Sequence, residues 1–205
     1  MELGRTGFVG RFKPLHEGAA RALDALCEQA SEAIIGIGSA NKYNQRNPFT
    51  ANEVRGMLDA YLAPRHTNYR IIEIPDFAHL PGMSDGAPWA THVRDAYGTL
   101  DTFVTGNPFV QRLLTPTYNI IHPSNIIERE KWIRLRATDV RIAMARGDGW
   151  EGLVPVEVAT YLKERKLDER FRAEFGLATL GLLASGTPSE DAAQEQTHAQ
   201  EVTAW

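Results

Sequence analysis

The 205-residue chain is short of cysteine, of long apolar runs, of internal repeats and of surplus positive charge, and each shortage excludes something. A single cysteine, Cys27, rules out an internal disulfide and with it a stapled extracellular scaffold, so a reducing, cytoplasmic setting is expected. No stretch of about 18 apolar residues occurs, which argues against a membrane-spanning helix. No charged start precedes an apolar core and a cleavage site, which argues against secretion. With 22 Lys+Arg against 26 Asp+Glu the net charge is -4, the wrong sign for embracing long nucleic acid through counterion release. What remains is an ordinary globular composition, 43% hydrophobic and 23% charged, in a chain long enough for one α/β domain with a substantial core, plus a tail.

The most informative stretch is the first twenty residues. An apolar run ends in Gly10, a loop carries Arg11, Phe12, Lys13 and His16, and Gly18 opens an Ala/Leu-rich segment with apolar positions at helical spacing. A strand, a tight turn and a helix over 17–31 are expected, with Ala22, Leu23, Leu26, Cys27 and Ala30 on the inner face. Backbone N–H groups at such a helix start point into the turn and the helix dipole favours an anion there. Arg11, Lys13 and His16 add donors and positive charge at the same spot, more than an ordinary strand-to-helix connection needs. Cys27 reads as core filler, since no histidine pairing is implied nearby.

Further along, residues 33–40 form a continuous apolar run ending in Gly38-Ser39, the pattern of a strand buried on both faces. Thr50 and Glu53 have capping-box spacing and start a helix. Residues 69–76 read as a third strand stopped by Pro75, followed by a Gly/Pro-rich loop with Met83, Pro88 and Trp89 that simply covers the core on residue chemistry alone. A fourth strand begins near Leu100 and leads through Gly106-Asn107 into a short helix, a fifth spans 118–122, and a helix opens around Arg136 and Thr138 and runs to Gly147. A last helix, 156–166, continues as helix over 167–181, and a Ser/Gln/Ala/Glu-rich tail over 183–205 is expected to be disordered.

Gly10-Arg11-Phe12-Lys13-Pro14-Leu15-His16-Glu17-Gly18-Ala19 resembles the G-R-F-x-P-x-H-x-G-H signature of the nucleotidyltransferase superfamily, with archaeal-type nicotinamide mononucleotide adenylyltransferases as the nearest match. The resemblance continues in order through Gly38-Ser39-Ala40, Arg46-Asn47-Pro48-Phe49-Thr50-Ala51, Gly106-Asn107-Pro108, Thr138-Asp139-Val140-Arg141 and Trp150 to Pro155, covering about residues 7–166. It implies catalytic roles for His16, Arg11, Lys13 and Arg46, and nucleotide binding by Gly10, Phe12, Gly18, Ser39, Asn47, Thr50, Gly106, Asn107, Arg136, Thr138 and Arg141. It also implies that Trp89 stacks on the acceptor ring, that Mg²⁺ arrives with ATP with no dedicated protein metal site, and that the protein is a homo-oligomer. Five positions depart from the pattern: Ala19 stands where the family has its second histidine, Lys13 where it commonly has Gln, Val54 where it usually has Arg, Arg136 where it has Ser, and Gly86 where it often has Asn.

Strands alternating with helices through short loops predict a doubly wound, Rossmann-like α/β domain over 1–182, with ligands at the carboxyl ends of the strands. The expected activity is transfer of AMP from ATP to a small mononucleotide, nicotinamide mononucleotide in the first reading, with no long nucleic acid and no membrane as partners. Two others stand beside it: a nucleotidyltransferase for a different phosphorylated acceptor, motivated by the altered loop before Trp89, and a weakly catalytic nucleotide-binding regulatory module, motivated by Ala19.

Overall fold

The computed structural model describes residues 2–78, 80–81 and 86–185. Five parallel strands, β1 (Gly4–Gly10), β2 (Ala30–Gly38), β3 (Tyr69–Ile74), β4 (Thr102–Val104) and β5 (Ile120–Ile121), lie in the order β3-β2-β1-β4-β5. This is the doubly wound, Rossmann-like sheet expected from the alternation of strands and helices. Its winding reverses between β1 and β4, so the crevice at the carboxyl ends of those two strands is the natural ligand site.

Helices cover both faces. On one side α1 (Glu17–Gln29), α2 (Ala51–Leu62), α5 (Ala137–Arg146), α6 (Val156–Glu164) and α7 (Leu167–Phe171) enclose a core that includes Leu23, Leu26, Ile35, Ile37, Leu58, Val158 and Phe171. On the other, α3 (Ala87–Tyr97) and α4 (Pro108–Leu114) pack on Ile34, Ile74 and Phe103. Alternate residues of β2 feed opposite cores, which is why its stretch over 33–38 is apolar without a break. Tyr97 reaches across the sheet and donates its hydroxyl to the Phe8 carbonyl at 2.7 Å. Cys27 is buried among apolar neighbours, and burial pushes its thiol up to about 12, so it acts as core filler. Among the described residues no helix is long and apolar enough to cross a membrane.

The Thr50/Glu53 capping box forms as the spacing predicts, with Glu53 N–H donating to Thr50 Oγ1 at 3.3 Å and Thr50 N–H to Glu53 Oε2 at 2.8 Å. Other boundaries shift for reasons that lie far off in sequence. The first helix ends at Gln29 rather than 31 because Asn68, from just before β3, donates to the Cys27 and Ala30 carbonyls at 2.9 and 2.8 Å. The chain then enters β2 three residues earlier than expected, with Ala30 paired to Gly4. The long terminal helix is broken at Lys166, which takes a left-handed φ of 53° between α6 and α7. After α7 a single π-helical turn, Arg172–Gly176, leads into α8 (Leu177–Ala184). The boundary drawn at 182/183 therefore falls inside α8, while the tail from 186 onward and Met83 lie outside the described residues.

Candidate active site

At the β1/β4 switch a cavity of about 380 Å³ opens, lined by residues from the β1–α1 turn, the β4–α4 turn, the loop before α2 and the start of α5. That volume suits a small-molecule ligand. The turn that forms its floor is built under strain. Phe12 takes a φ of 50°, and its ring folds back over Gly10, where a Cβ would lie 2.7 Å from the ring. Ser39, at the neighbouring strand end, has a φ of 51°. Non-glycine residues in this region are costly and cluster at functional sites.

The charge on the wall is one-sided. Arg11, Lys13, Arg46, Arg136 and Arg141 line the cavity with His16, and no carboxylate does among the described residues. Two helices, α1 and α5, also start here, adding the positive ends of their dipoles. Such a wall favours a polyanion.

Each side chain is held. His16 caps α1, its Nδ1 accepting the Ala19 N–H at 3.2 Å. A ring nitrogen that accepts carries no proton, so the neutral imidazole has its proton on Nε2, leaving one N–H donor to offer a ligand. Burial, with Arg141 acting in the same direction and Asp139 opposing, holds the His16 pKa down at about 4. Lys13 is wholly buried beneath the floor, its ammonium donating to the Ser39 and Lys42 carbonyls at 2.9 and 3.3 Å. Desolvation first, and the Arg11 charge second, lower its pKa to about 8. Arg141, only 7% exposed, donates to the Lys13 carbonyl at 2.9 Å and to Thr138 Oγ1 at 3.0 Å, which ties the start of α5 to the β1–α1 turn. Arg136 is oriented by Asp139, with side-chain contacts of 3.2 and 3.4 Å. Asn107 uses its carboxamide oxygen to cap α4, accepting from Phe109 and Val110, so only its NH₂ remains for a ligand.

Of the residues singled out from the sequence, the structure brings Gly10, Arg11, Phe12, Lys13, His16, Arg46, Gly106, Asn107, Arg136, Thr138 and Arg141 to one cavity, together with Ala19. Gly18, Ser39, Asn47, Thr50 and Trp89 are not on its wall. Gly18 lets the chain before α5 cross close by, since a Cβ there would lie 2.7 Å from the Ile133 carbonyl. Ser39 acts through its carbonyl on Lys13. Asn47 is bonded to Asn44, and Thr50 caps α2. Trp89 sits in the first turn of α3, half-buried against the second core, rather than in a covering loop. The sequence reading missed Asp139, although an acidic residue three positions after Arg136 at a helix start is a readable capping signal.

A strained turn at the switch point of a parallel sheet, facing a cationic cavity with two helix starts, defines a doubly wound α/β protein with a cleft suited to a phosphate-bearing ligand. The cytidylyltransferase-like family model matches residues 7–143, and the chain belongs to that family. It is 36% identical over 166 residues to a nicotinamide-nucleotide adenylyltransferase of Thermococcus onnurineus, the match covering 80% of this chain and 85% of that one. A protein of the same name from Methanosphaerula palustris is 34% identical over 163 residues, covering 79% and 92%. In fold the chain resembles a bifunctional NMN adenylyltransferase/ADP ribose pyrophosphatase from Francisella tularensis, with a TM-score of 0.63, 17% identity, and coverage of 85% of this chain and 53% of that one.

Proposed function

We propose that this protein transfers AMP from ATP to nicotinamide mononucleotide, giving NAD and pyrophosphate. The observation that carries the reading is the cavity wall itself: five cations and a neutral histidine donor gathered near the starts of α1 and α5, with no carboxylate among the described residues of the wall. Kinship with the nicotinamide-nucleotide adenylyltransferases supports the choice of acceptor.

In this mechanism an oxygen of the acceptor phosphate attacks the α-phosphorus of ATP in line. The new P–O bond forms as the bond to the β-phosphate oxygen breaks, and pyrophosphate leaves with the electron pair. No covalent enzyme intermediate is needed, so catalysis is positioning plus neutralisation of charge growing on the bridging and pyrophosphate oxygens. His16 Nε2–H and the first turn of α1 donate to the phosphates, Arg141 and Thr138 hold their outer end from α5, and Arg11 and Arg46 close over them. Mg²⁺ is proposed to enter as the ATP complex, where it would neutralise phosphate charge. The cavity wall offers cations and neutral donors, a set that would hold the phosphates and leave the ion to their oxygens.

The test is incubation of the purified protein with ATP and Mg²⁺ over a panel of phosphorylated acceptors, following pyrophosphate and NAD. NAD formation with nicotinamide mononucleotide is the expected result. Pyrophosphate release only with another acceptor would overturn the acceptor assignment. ATP binding with no release at any acceptor would favour a regulatory module, the reading that Ala19 on the cavity wall keeps open.

A further inference from the structure

We propose that Tyr43 and Arg170 are positioning residues for Arg46, so that the C-terminal helical unit braces the loop which delivers this cation to the cavity. The inference rests on the phosphate-binding reading of the cavity. From Ser39 at the end of β2 to Thr50 at the start of α2, Arg46 alone among the loop residues reaches the cavity wall. It sits in a tight turn built on Asn44, whose Oδ1 accepts from the Arg46 and Asn47 backbone N–H groups at 3.0 Å each and from Asn47 Nδ2 at 3.1 Å. That turn fixes Arg46 within the loop but does not tie the loop to the domain.

The start of the loop is tied by Asn41, which exchanges hydrogen bonds of 3.0 and 2.8 Å with the Asp76 backbone, and by Lys13, which donates to the Lys42 carbonyl at 3.3 Å; the tie that grips both sides of the turn comes from the far end of the chain. Just before it, the Tyr43 hydroxyl donates to the Glu174 carboxylate, the Tyr43 ring meets Phe175 edge-on at 5.5 Å, and the Arg170 guanidinium lies 5.6 Å from the ring centroid. Just after it, Arg170 donates to the Pro48 carbonyl at 3.1 Å and forks onto both Glu53 oxygens at 2.5 and 2.8 Å, while Phe49 stacks on Phe171 at 6.3 Å. Glu174 and Phe175 both lie in the π-helical turn, a distortion that recurs at functional sites. Tyr43 is 47% exposed and belongs to neither core, so its contacts hold the loop more than they hold the fold. Holding matters because a misplacement of about 1 Å in a charged positioning group costs on the order of 10² in rate.

The experiment measures ATP affinity by titration calorimetry for the unsubstituted protein, Tyr43→Ala, Tyr43→Phe, Arg46→Ala and the Tyr43→Ala/Arg46→Ala pair, with melting temperatures alongside. If Tyr43 acts through Arg46, Tyr43→Ala weakens ATP by about tenfold, Tyr43→Phe by less because the ring contacts remain, and the pair is no weaker than Arg46→Ala alone. Melting temperatures stay close to that of the unsubstituted protein. Unchanged ATP affinity in Tyr43→Ala, or losses that multiply in the pair, would overturn the brace while leaving the cavity assignment standing. Absence of ATP binding to the unsubstituted protein would instead overturn the cavity assignment and the brace with it.

Discussion

Two charged hollows flank α1, and they teach different lessons. The cavity at the strand ends holds about 380 Å³, while a groove between α1, α2, α6 and the 126–131 segment is larger at about 490 Å³. Volume therefore does not distinguish them; charge balance does. In the groove Arg65 is paired with Glu157 at 2.6 Å, Lys131 with Glu128 at 3.0 Å and Arg21 with Glu17 at 3.8 Å. In the cavity the contacts of the two buried cations include backbone carbonyls and a hydroxyl, Lys13 on Ser39 and Lys42, Arg141 on Lys13 and Thr138, while the more exposed Arg136 pairs with Asp139 at 3.2 Å. A carbonyl dipole orients a cation without cancelling its charge, so the cavity keeps a net positive field that the groove lacks.

The largest effect expected from this contrast comes from Arg141→Met. It removes a buried cation and the tie between the start of α5 and the β1–α1 turn. Pyrophosphate release should fall on the order of 10³-fold and ATP affinity with it. Arg65→Met in the groove, which deletes an equally well-formed but balanced ion pair, should leave both within about twofold, since exposed pairs contribute roughly 0–1 kcal/mol. Equal losses in the two variants would show that charge balance is not what separates the hollows.

Next comes Ala19→His. Ala19 lies on the cavity wall one helical turn from His16, and a methyl there offers no donor to charge that grows in the transition state. Restoring an imidazole should raise turnover on the order of 10² with little change in ATP affinity. A fast unsubstituted protein that gains nothing from the change would mean that Arg136 or Lys13 already supplies the missing donor.

Much of the cavity was legible because its parts are local. The glycine turn, the cations beside it and the Thr138/Arg141 helix start each carry their signal within a few residues. The sheet was legible for a similar reason, since each strand carries a short local cluster of apolar residues, longest in β2 over 33–38. What the sequence hid was set by distant partners: Asn68 ending α1, the Ser39 and Lys42 carbonyls taking the Lys13 ammonium, and Arg170 reaching Pro48 and Glu53 across 122 and 117 residues. Trp89 belongs here too. Its place in the first turn of α3 depends on where Gly86 and Pro88 start that helix, and the covering loop expected from Gly/Pro content gives no hint of it.

Trp89→Ala should therefore act first on stability. A half-buried indole packed on Ile74, Ala90 and Val93's core supports α3, and its truncation should cost about 2 kcal/mol and lower the melting temperature while sparing ATP affinity. Loss of nicotinamide mononucleotide binding at an unchanged melting temperature would instead establish the stacking role implied by the family resemblance.

The smallest expected effect is a pH limb, and it sharpens the contrast because only the cavity contains a buried, unbalanced ammonium. Lys13 has its pKa lowered from 10.5 to about 8. Between those values the unfolded chain binds more protons than the folded one, so stability rises with pH across that window and the burial cost of the charge is fully present below about 8. His16 behaves likewise lower down: its pKa is lowered from 6.5 to about 4, so stability is lost as pH falls through that interval. Ligand binding responds in the opposite sense at Lys13. As pH rises through about 8 the ammonium beneath the floor loses its charge, the field on the phosphates weakens, and ATP affinity should fall a few-fold. The groove's exposed guanidinium, Arg65, stays charged throughout and contributes no such limb. Lys13→Arg keeps a charge that does not titrate in this range, so calorimetric affinity measured from pH 7 to 9.5 should lose its alkaline slope in that variant. A slope that persists in Lys13→Arg would assign the limb to ATP or its metal complex and detach Lys13 from the field that marks the site.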